Sequence, residues 1–156
     1  MSNFKAHPSS IIETNDIGEG TQIWAFTHIC EGVSIGKNCM IGEGVHIGRN
    51  VQIGDNCRIQ NHSLLYEGVE MEDDVFIGPN TITTNDMYPR VGGDWSNRFR
   101  KTTFKHGSSV GANSTIVCGI TLNEGCMVGA GAVVTRDVEK KSLVMGVPAR
   151  HEKYLK

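Results

Sequence analysis

Large aliphatic residues recur at every sixth position over the first half of the chain. The series begins at Ile11 and continues without exception: Ile11, Ile17, Ile23, Ile29, Ile35, Ile41, Ile47, Ile53, Ile59, Leu65, Met71 and Ile77. A helix repeats about every 3.6 residues and a strand about every two, so neither explains this period. A sustained hexad is typical of a coiling repeat in which short strands turn around one core.

The other hexad positions support this interpretation. The residue two before each aliphatic is small or β-branched, as in Thr27, Val33 and Cys39, which suits a second inward position in a narrow core. The residue three after it is usually Gly, Asn or Asp, which tolerate the positive φ of a tight corner. Three hexads would therefore close one triangular coil.

The hexads stop after Ile82 and restart in a new phase at Val110, followed by Ile116, Leu122, Val128 and Val134. We therefore predict a single all-β domain over residues 1–156, a parallel β-helix of about six coils. One long loop, about 83–106, interrupts it, and a short C-terminal cap occupies about 138–156.

Composition narrows the cellular setting. The net charge of −2 argues against a general nucleic-acid surface. No apolar run has membrane length and no signal-peptide pattern opens the chain. Five cysteines without CxxC pairs fit a reducing compartment. We expect a cytoplasmic protein without a nucleic-acid partner or membrane insertion.

The inserted loop is the first candidate for chemistry, because a rigid coil gains nothing from an irregular insertion. It is also the most basic stretch of the chain. Its cations are Arg90, Arg98, Arg100, Lys101 and Lys105. Such a cluster suits a phosphate-bearing ligand. A solvated loop whose charges only maintain solubility explains it equally well.

The second ladder carries runs of small residues that let an extended ligand lie against the backbone. These runs are Gly111-Ala112-Asn113, Gly129-Ala130-Gly131-Ala132 and Gly146-Val147-Pro148-Ala149-Arg150. With them, the sequence resembles the hexapeptide acyltransferases, left-handed β-helix enzymes that use acetyl-CoA. It is most similar to the branch that N-acetylates nucleotide-linked 3-amino sugars for bacterial surface polysaccharides. Further matching motifs are His7-Pro8-Ser9, Gln22-Ile23-Trp24, Gln60-Asn61, residues 72–79, Thr84-Asn85-Asp86 with Pro89-Arg90, and residues 111–119.

The resemblance implies left-handed coiling and a homotrimer with active sites between neighbouring prisms. It places Asn85 and Asp86 beside the sugar amine as the candidate catalytic residues. The candidate substrate contacts are Tyr66, Glu67, Arg90, Arg98, Arg100 and His106. The candidate acetyl-CoA contacts are Gly111, Ala112, Gly129, Ala130, Val147, Pro148 and Arg150. No metal is expected.

The implied reaction is attack of a sugar amine on the acetyl thioester. Asp86 would accept the amine proton or only orient the amine, and the N–H of Gly111 or Ala130 would stabilise the oxyanion. A dTDP-3-amino-3,6-dideoxyhexose is the first substrate hypothesis. A UDP-linked 3-amino uronate is the alternative, although Asp86 would repel its carboxylate. A metal-dependent lyase of the carbonic anhydrase kind and a non-catalytic trimeric scaffold also remain open.

Three further features have competing interpretations. His62 occupies the corner column, which favours a structural corner over a catalytic base. His28 and His46 lie one coil apart at outward positions, where a metal is conceivable, but the three-histidine pattern of the carbonic anhydrases is missing. Trp24 and Phe26 form an outward aromatic pair that suits a trimer contact better than a stacked nucleotide base.

Overall fold

Short parallel strands stack in three columns that form the faces of a triangular prism. The computed structural model describes residues 3–95 and 97–156, and all regular secondary structure in this part of the chain is β. Strands are numbered along the chain. Face 1 contains β1 (Lys5–Ala6), β3 (Gln22–Ile23), β6 (Met40–Ile41), β9 (Arg58–Ile59), β12 (Phe76–Ile77), β15 (Ser109–Val110), β18 (Met127–Val128), β20 (Ser142–Gly146) and β21 (Ala149–Tyr154).

The other two faces consist of strands of two or three residues. Face 2 contains β2 (Ile11–Ile12), β4 (His28–Ile29), β7 (His46–Ile47), β10 (Leu64–Leu65), β13 (Ile82–Thr83), β16 (Thr115–Ile116) and β19 (Val133–Val134). Face 3 contains β5 (Ser34–Ile35), β8 (Gln52–Ile53), β11 (Val69–Met71), β14 (Thr102–Phe104) and β17 (Thr121–Leu122). Each chain segment that turns from one face to the next forms a prism edge, named 1–2, 2–3 or 3–1 after the faces it joins.

The register confirms the triangular coil. Gln22 pairs with Met40 and Met40 pairs with Arg58, so in the regular part of the first ladder each strand lies against the strand eighteen residues further on. The inward aliphatics of all three faces form one continuous buried core. Several buried hydroxyls donate to corner carbonyls of the next coil, as where Thr27 Oγ1 donates to the Gly42 oxygen at 2.9 Å. The predicted parallel β-helix is therefore confirmed.

The corner column adopts the predicted backbone conformation. Asn38, Asn50 and Asn56 have φ between 55° and 59°, and His62 has φ of 59°. A Cβ on Gly44 would lie 2.4 Å from Nδ1 of His62, so this ring covers the corner one coil below. The structural interpretation of His62 is confirmed.

The coil count needs a correction. Face 1 has eight parallel strands, because β1 and β20 extend the column beyond the two hexad ladders, so the prism is taller than the predicted six coils. The predicted number of coils was counted from the aliphatic residues at six-residue spacing, and neither β1 nor β20 belongs to that series. The chain then reverses, and β21 pairs antiparallel with β20 to form a C-terminal hairpin over the last coil.

The limits of the inserted loop also differ from the prediction of 83–106. Thr83 ends strand β13, and β14 rejoins face 3 with Thr102 opposite Val69 and Phe104 opposite Met71. The insertion therefore spans 84–101. The aliphatic pattern missed both limits because inward positions here hold Thr83 and Phe104, which are fully buried although neither is aliphatic.

None of the described residues belongs to a helix long and apolar enough to cross a membrane.

Close stacking at the 1–2 edge yields a stability prediction. A Cβ on Gly78 would lie 2.6 Å from the Ala112 nitrogen and 2.8 Å from the Val110 oxygen, and backbone cannot yield cheaply. We expect Gly78→Ala to lower the free energy of unfolding by about 1–3 kcal/mol, the usual cost of overpacking. The matched control is Gly92→Ala in the loop, where nothing lies within 4 Å of the added carbon. Urea denaturation would show equal midpoints for the two variants if close stacking does not matter.

Candidate active site

The inserted loop leaves the prism at the 2–3 edge and returns to the same edge. Thr84 Oγ1 accepts a hydrogen bond from the Cys118 N–H at 2.9 Å, which ties the start of the loop to the coil above. The Arg100 N–H donates to the Asn85 oxygen at 2.9 Å, and Asp86 forms an antiparallel bridge with Phe99. The loop is therefore closed at its base, and Asn85 and Asp86 belong to that closed neck.

The Asp86 carboxylate is almost buried, with 8% of the side chain exposed. Its Oδ1 accepts the Tyr88 N–H at 2.8 Å, while Oδ2 lies 3.7 Å from Nη1 of Arg98. Asp86 and Arg98 thus form an ion pair, but the distance between the two atoms is too long for a hydrogen bond. Oδ2 is buried without any hydrogen-bond partner. The loop neck thus holds a charged oxygen whose hydrogen-bonding capacity is unused.

Arg98 organises the loop from within. Its Nη2 donates to the Gly92 oxygen at 2.8 Å, and its guanidinium carbon lies 5.5 Å from the centre of the Trp95 ring. Together with the ion pair to Asp86, these contacts make Arg98 the support of the loop interior. Arg90 Nη1 donates to the Pro89 oxygen beside it at 2.9 Å, and its side chain is exposed.

The loop neck borders a pocket that contains three predicted site residues. The pocket is lined by Asp86, Met87, Tyr88, Asn97, Arg98 and Arg100. Sequence reasoning missed Met87, Tyr88 and Asn97 because it selected charged loop residues. Their position between the predicted catalytic pair and the basic cluster was the only signal in the sequence that could have identified them.

Tyr66 and Glu67 occupy the 2–3 edge one coil below the loop. The Tyr66 N–H donates to Thr83 Oγ1 at 2.9 Å. Glu67 Oε1 accepts from Asn50 Nδ2 at 3.1 Å, and Glu67 shares the lining of a shallow pocket with Arg100. The structure thus brings these two residues to the same edge as Asn85 and Asp86.

The His46 imidazole lies next to Tyr66, with ring centres 5.7 Å apart. On its other side the ring of His28 is 5.4 Å away. Burial lowers the pKa of His46, and the nearby His28 lowers it further, so His46 is neutral at neutral pH. Burial also raises the pKa of the neighbouring Cys30 thiol, and the charge of Glu13 adds to the effect.

His106 lies apart from this group. His106 lies on the 3–1 edge. Its ring Nδ1 is 3.5 Å from Oδ2 of Asp74, and its backbone N–H donates to Oε2 of Glu72 at 2.8 Å. Glu72 also accepts from Lys105 at 2.7 Å, and the hydrogen bonds from Lys105 and His106 lower its pKa. Within one chain, His106 is therefore not brought together with the loop residues.

The basic cluster of the loop is largely paired with acidic groups. Lys101 Nζ lies 2.6 Å from Glu70, Lys105 pairs with Glu72, and Arg98 pairs with Asp86. Three of the five cations that the sequence grouped together thus contact carboxylates. That this cluster suits a phosphate-bearing ligand stays a prediction.

The predicted acetyl-CoA contacts line a different edge. Gly111 and Ala112 turn the 1–2 edge, Gly129 and Ala130 turn it one coil higher, and a Cβ on Gly111 would lie 2.5 Å from the Ala130 nitrogen. The Gly129 N–H donates to the Val144 oxygen at 2.8 Å, which places the C-terminal hairpin on top of this stack. The prediction that these small residues share a surface agrees with the structure.

The hairpin carries the last three predicted residues. Val147 and Pro148 form its turn through a cis peptide bond, and Val147 is exposed. Arg150 pairs with Met145 and lines a pocket between the last coil and β21 together with Arg136, His151 and other residues. The sequence analysis did not predict Arg136 as a site residue, because the hexad pattern assigns it only to a corner between two strands.

Comparison with known proteins identifies the family. Residues 16–49 and 50–85 match the bacterial transferase hexapeptide family (six repeats), and residues 107–136 match the hexapeptide repeat of succinyl-transferase. The chain belongs to the hexapeptide-repeat transferases. The relationship predicted from the sequence motifs is therefore confirmed.

Three relatives illustrate how far this membership extends. The chain is 45% identical over 149 residues to dTDP-3-amino-3,6-dideoxy-α-D-galactopyranose 3-N-acetyltransferase of Aneurinibacillus thermoaerophilus, which covers 96% of this chain and 77% of that protein. It is 32% identical over 139 residues to bifunctional protein GlmU of Acinetobacter baumannii (strain AYE), spanning 89% of this chain but only 28% of that protein. A hexapeptide-repeat acetyltransferase of Vibrio cholerae O1 biovar eltor, crystallised with acetyl coenzyme A, superposes with a TM-score of 0.69 at 26% identity, covering 80% of this chain and 72% of that one.

In this hexapeptide-repeat transferase the predicted site residues other than His106 form two groups on two prism edges. The loop neck with Tyr66 and Glu67 lies on the 2–3 edge, and the glycine stack with the hairpin turn lies on the 1–2 edge. Face 2 separates the two edges. A single prism therefore presents the two halves of the predicted site on opposite sides of one face.

Proposed function

We propose that this chain is an acetyl-CoA-dependent N-acetyltransferase that acetylates the 3-amino group of a dTDP-linked 3-amino-3,6-dideoxyhexose. The observation that carries the proposal is the 45% identity, over 96% of the chain, to an enzyme named for this reaction. The Vibrio cholerae relative, crystallised with acetyl coenzyme A, supports the choice of acyl donor. In this proposal the product serves bacterial surface polysaccharide synthesis.

The neck of the loop receives the sugar amine. Asp86 Oδ2 is a buried acceptor without a hydrogen-bond donor, and leaving such an oxygen unsatisfied costs about 1–3 kcal/mol or more. A sugar ammonium would supply the missing donor as the loop admits the substrate. Asp86 then takes a proton from the ammonium or holds the amine in line, with Asn85 beside it fixing the geometry.

Acetyl transfer proceeds by attack of the amine nitrogen on the thioester carbonyl carbon. Negative charge builds on the carbonyl oxygen, the carbon–sulfur bond breaks, and the thiolate leaves with the proton released by the nitrogen. Of the two candidate oxyanion donors, the Gly111 N–H already donates to the Val128 oxygen at 2.8 Å. We therefore assign oxyanion stabilisation to Ala130, a contact worth about 3 kcal/mol in comparable sites.

The division of the site between two edges favours a homotrimer. If three prisms pack side by side, the 2–3 edge of one copy can face the 1–2 edge of the next, so that loop neck and glycine stack share one cleft. Oligomers of this kind have closed symmetry and repeat the same contact at each interface. The exposed Trp24 and Phe26 suit such a contact. A solution mass near the 17.0 kDa of one chain, rather than three times that, would contradict the shared site.

The function is tested by thiol release from acetyl-CoA with a panel of nucleotide sugars. We expect turnover with a dTDP-linked 3-amino-3,6-dideoxyhexose and at least about tenfold lower kcat/KM with its 4-amino isomer, because a displaced amine misses the acceptor at the loop neck. The matching 3-hydroxy sugar is the control and should release no thiol above background. Absence of turnover with every amino sugar, from a folded oligomer, would refute the proposal.

A further inference from the structure

Three potential metal ligands converge on face 2, below the candidate acetyl-transfer site. They are His28, Cys30 and His46, and one donor atom from each lies within 4.8 Å of the other two. His28 Nε2 is 3.9 Å from the Cys30 sulfur. All three residues are partly exposed, so an ion can reach them from solvent.

The coil geometry explains why these side chains meet. His28 in β4 and His46 in β7 are direct register partners on neighbouring coils, so their rings stack on the outer surface. Cys30 lies two residues after His28 and points to the same side, because side chains alternate along an extended segment. Each donor is therefore held by a ladder of backbone hydrogen bonds rather than by a flexible loop.

A carboxylate that would complete the set stands one coil below, and its Oε2 accepts the Glu31 N–H at 3.2 Å. The Glu13 N–H donates to the Ile29 oxygen, and Glu13 Oε1 lies 3.6 Å from His28 Nε2. The neighbouring cation Arg49 is already paired with Glu31 at 2.9 Å, which limits its repulsion of an incoming ion. Tyr66 closes the upper side by its ring contact with His46.

Two imidazoles, a thiolate and a carboxylate are a ligand set suited to Zn²⁺ and to Co²⁺ in its place. Tetrahedral zinc with bonds of about 2.0–2.3 Å separates its ligand atoms by about 3.5 Å. The donor atoms stand within 4.8 Å of one another, so an ion would draw them together by about 1 Å.

We propose that His28, Cys30 and His46, completed by Glu13, form a zinc site that links the first three coils of the prism. The set differs from the three-histidine pattern of the carbonic anhydrases, because its third donor is a thiol. The ion would join residues from three coils near the end of the solenoid, where a terminal coil has a neighbour on only one side. Its role is structural, and acetyl transfer does not depend on it.

The test is a titration of the purified full-length chain, stripped with chelator, with Co²⁺ alone. We expect one equivalent per chain to produce a thiolate-to-cobalt absorption band in the near ultraviolet, and Zn²⁺ to abolish that band by displacement. Zn²⁺ should also raise the melting temperature. Cys30→Ser should lose the band, and His46→Gln should weaken cobalt binding at least about tenfold.

Matched controls separate the cluster from other thiols and imidazoles. Cys126→Ala, which removes a thiol buried in the core, and His7→Ala, which removes an exposed imidazole, should bind cobalt like the unchanged chain. Circular dichroism and elution volume establish that each variant is folded. The absence of a band in the folded, unchanged chain would overturn the zinc site. So would a band that survives in Cys30→Ser or disappears in Cys126→Ala.

Discussion

Asp86→Asn is expected to lower kcat/KM for acetyl transfer by about 10²-fold or more, the usual range for removal of a general base. The amide preserves the shape of the side chain and can still accept the Tyr88 N–H, but it loses the charge beside Arg98 and the proton acceptor at Oδ2. The loop neck should therefore remain closed while its chemistry is weakened. Steady-state kinetics with the dTDP-linked 3-amino sugar measures the effect.

The matched control for Asp86→Asn is Asp55→Asn. Asp55 Oδ1 accepts the Lys37 N–H at 2.7 Å on the 3–1 edge, remote from the loop, and an asparagine there can make the same bond. Its kcat/KM should stay within about twofold of the unchanged enzyme. If Asp86→Asn also stays within that range, Asp86 does not act as the base, and deprotonation falls to solvent or to the departing thiolate.

Phe104→Ala is expected to lower the free energy of unfolding by about 3–5 kcal/mol, the typical cost of truncating a buried phenylalanine. Phe104 is 0% exposed and fills the inward position of β14 directly after the insertion. Its loss would leave a cavity where the second ladder rejoins the first. A solenoid coil contacts only its neighbours, so a cavity at this joint weakens the contact between the two halves of the prism.

The control for Phe104 is Phe76→Ala, which removes the same ring from an outward position of face 1 where it is 39% exposed. We expect its cost to be below about 1.5 kcal/mol, because much less apolar surface returns to water. Urea denaturation at one fixed protein concentration compares the two variants, since oligomer stability depends on concentration. If Phe104→Ala and Phe76→Ala lower the free energy of unfolding equally, burial of Phe104 is not what stabilises the joint between the two ladders.

The periodic part of the fold could be predicted from the sequence because each hexad is a local rule. Ile29 and Ile47 point inward, and Asn38 and Asn56 turn corners, for reasons contained in a few neighbouring residues. Repetition then extends the rule along the prism. The limits of the inserted loop were predicted wrongly, because Thr83 and Phe104 occupy inward positions without being aliphatic. The core accepts any side chain of suitable volume, whereas the pattern counted only aliphatic residues.

The candidate site shows the same division. The resemblance to the hexapeptide acyltransferases implied that Asn85, Asp86 and the small residues of the second ladder form the site, and this stays a prediction. Sequence order could not show that Arg98 supports the loop interior, because that depends on how an irregular segment folds back on itself. The pairing of Lys101 with Glu70 likewise follows from stacking across the insertion.

The sequence by itself determined that this chain is a hexapeptide β-helix and which residues face its core, and it predicts that the chemistry belongs to a loop and a glycine-rich ladder. Only the tertiary structure decided where the second ladder rejoins the first, that the two groups of site residues occupy different prism edges, and that Cys30 lies close to both His28 and His46. The physical reason is that a period specifies inward or outward direction residue by residue. The register between coils on either side of an insertion depends instead on contacts between residues far apart in the chain.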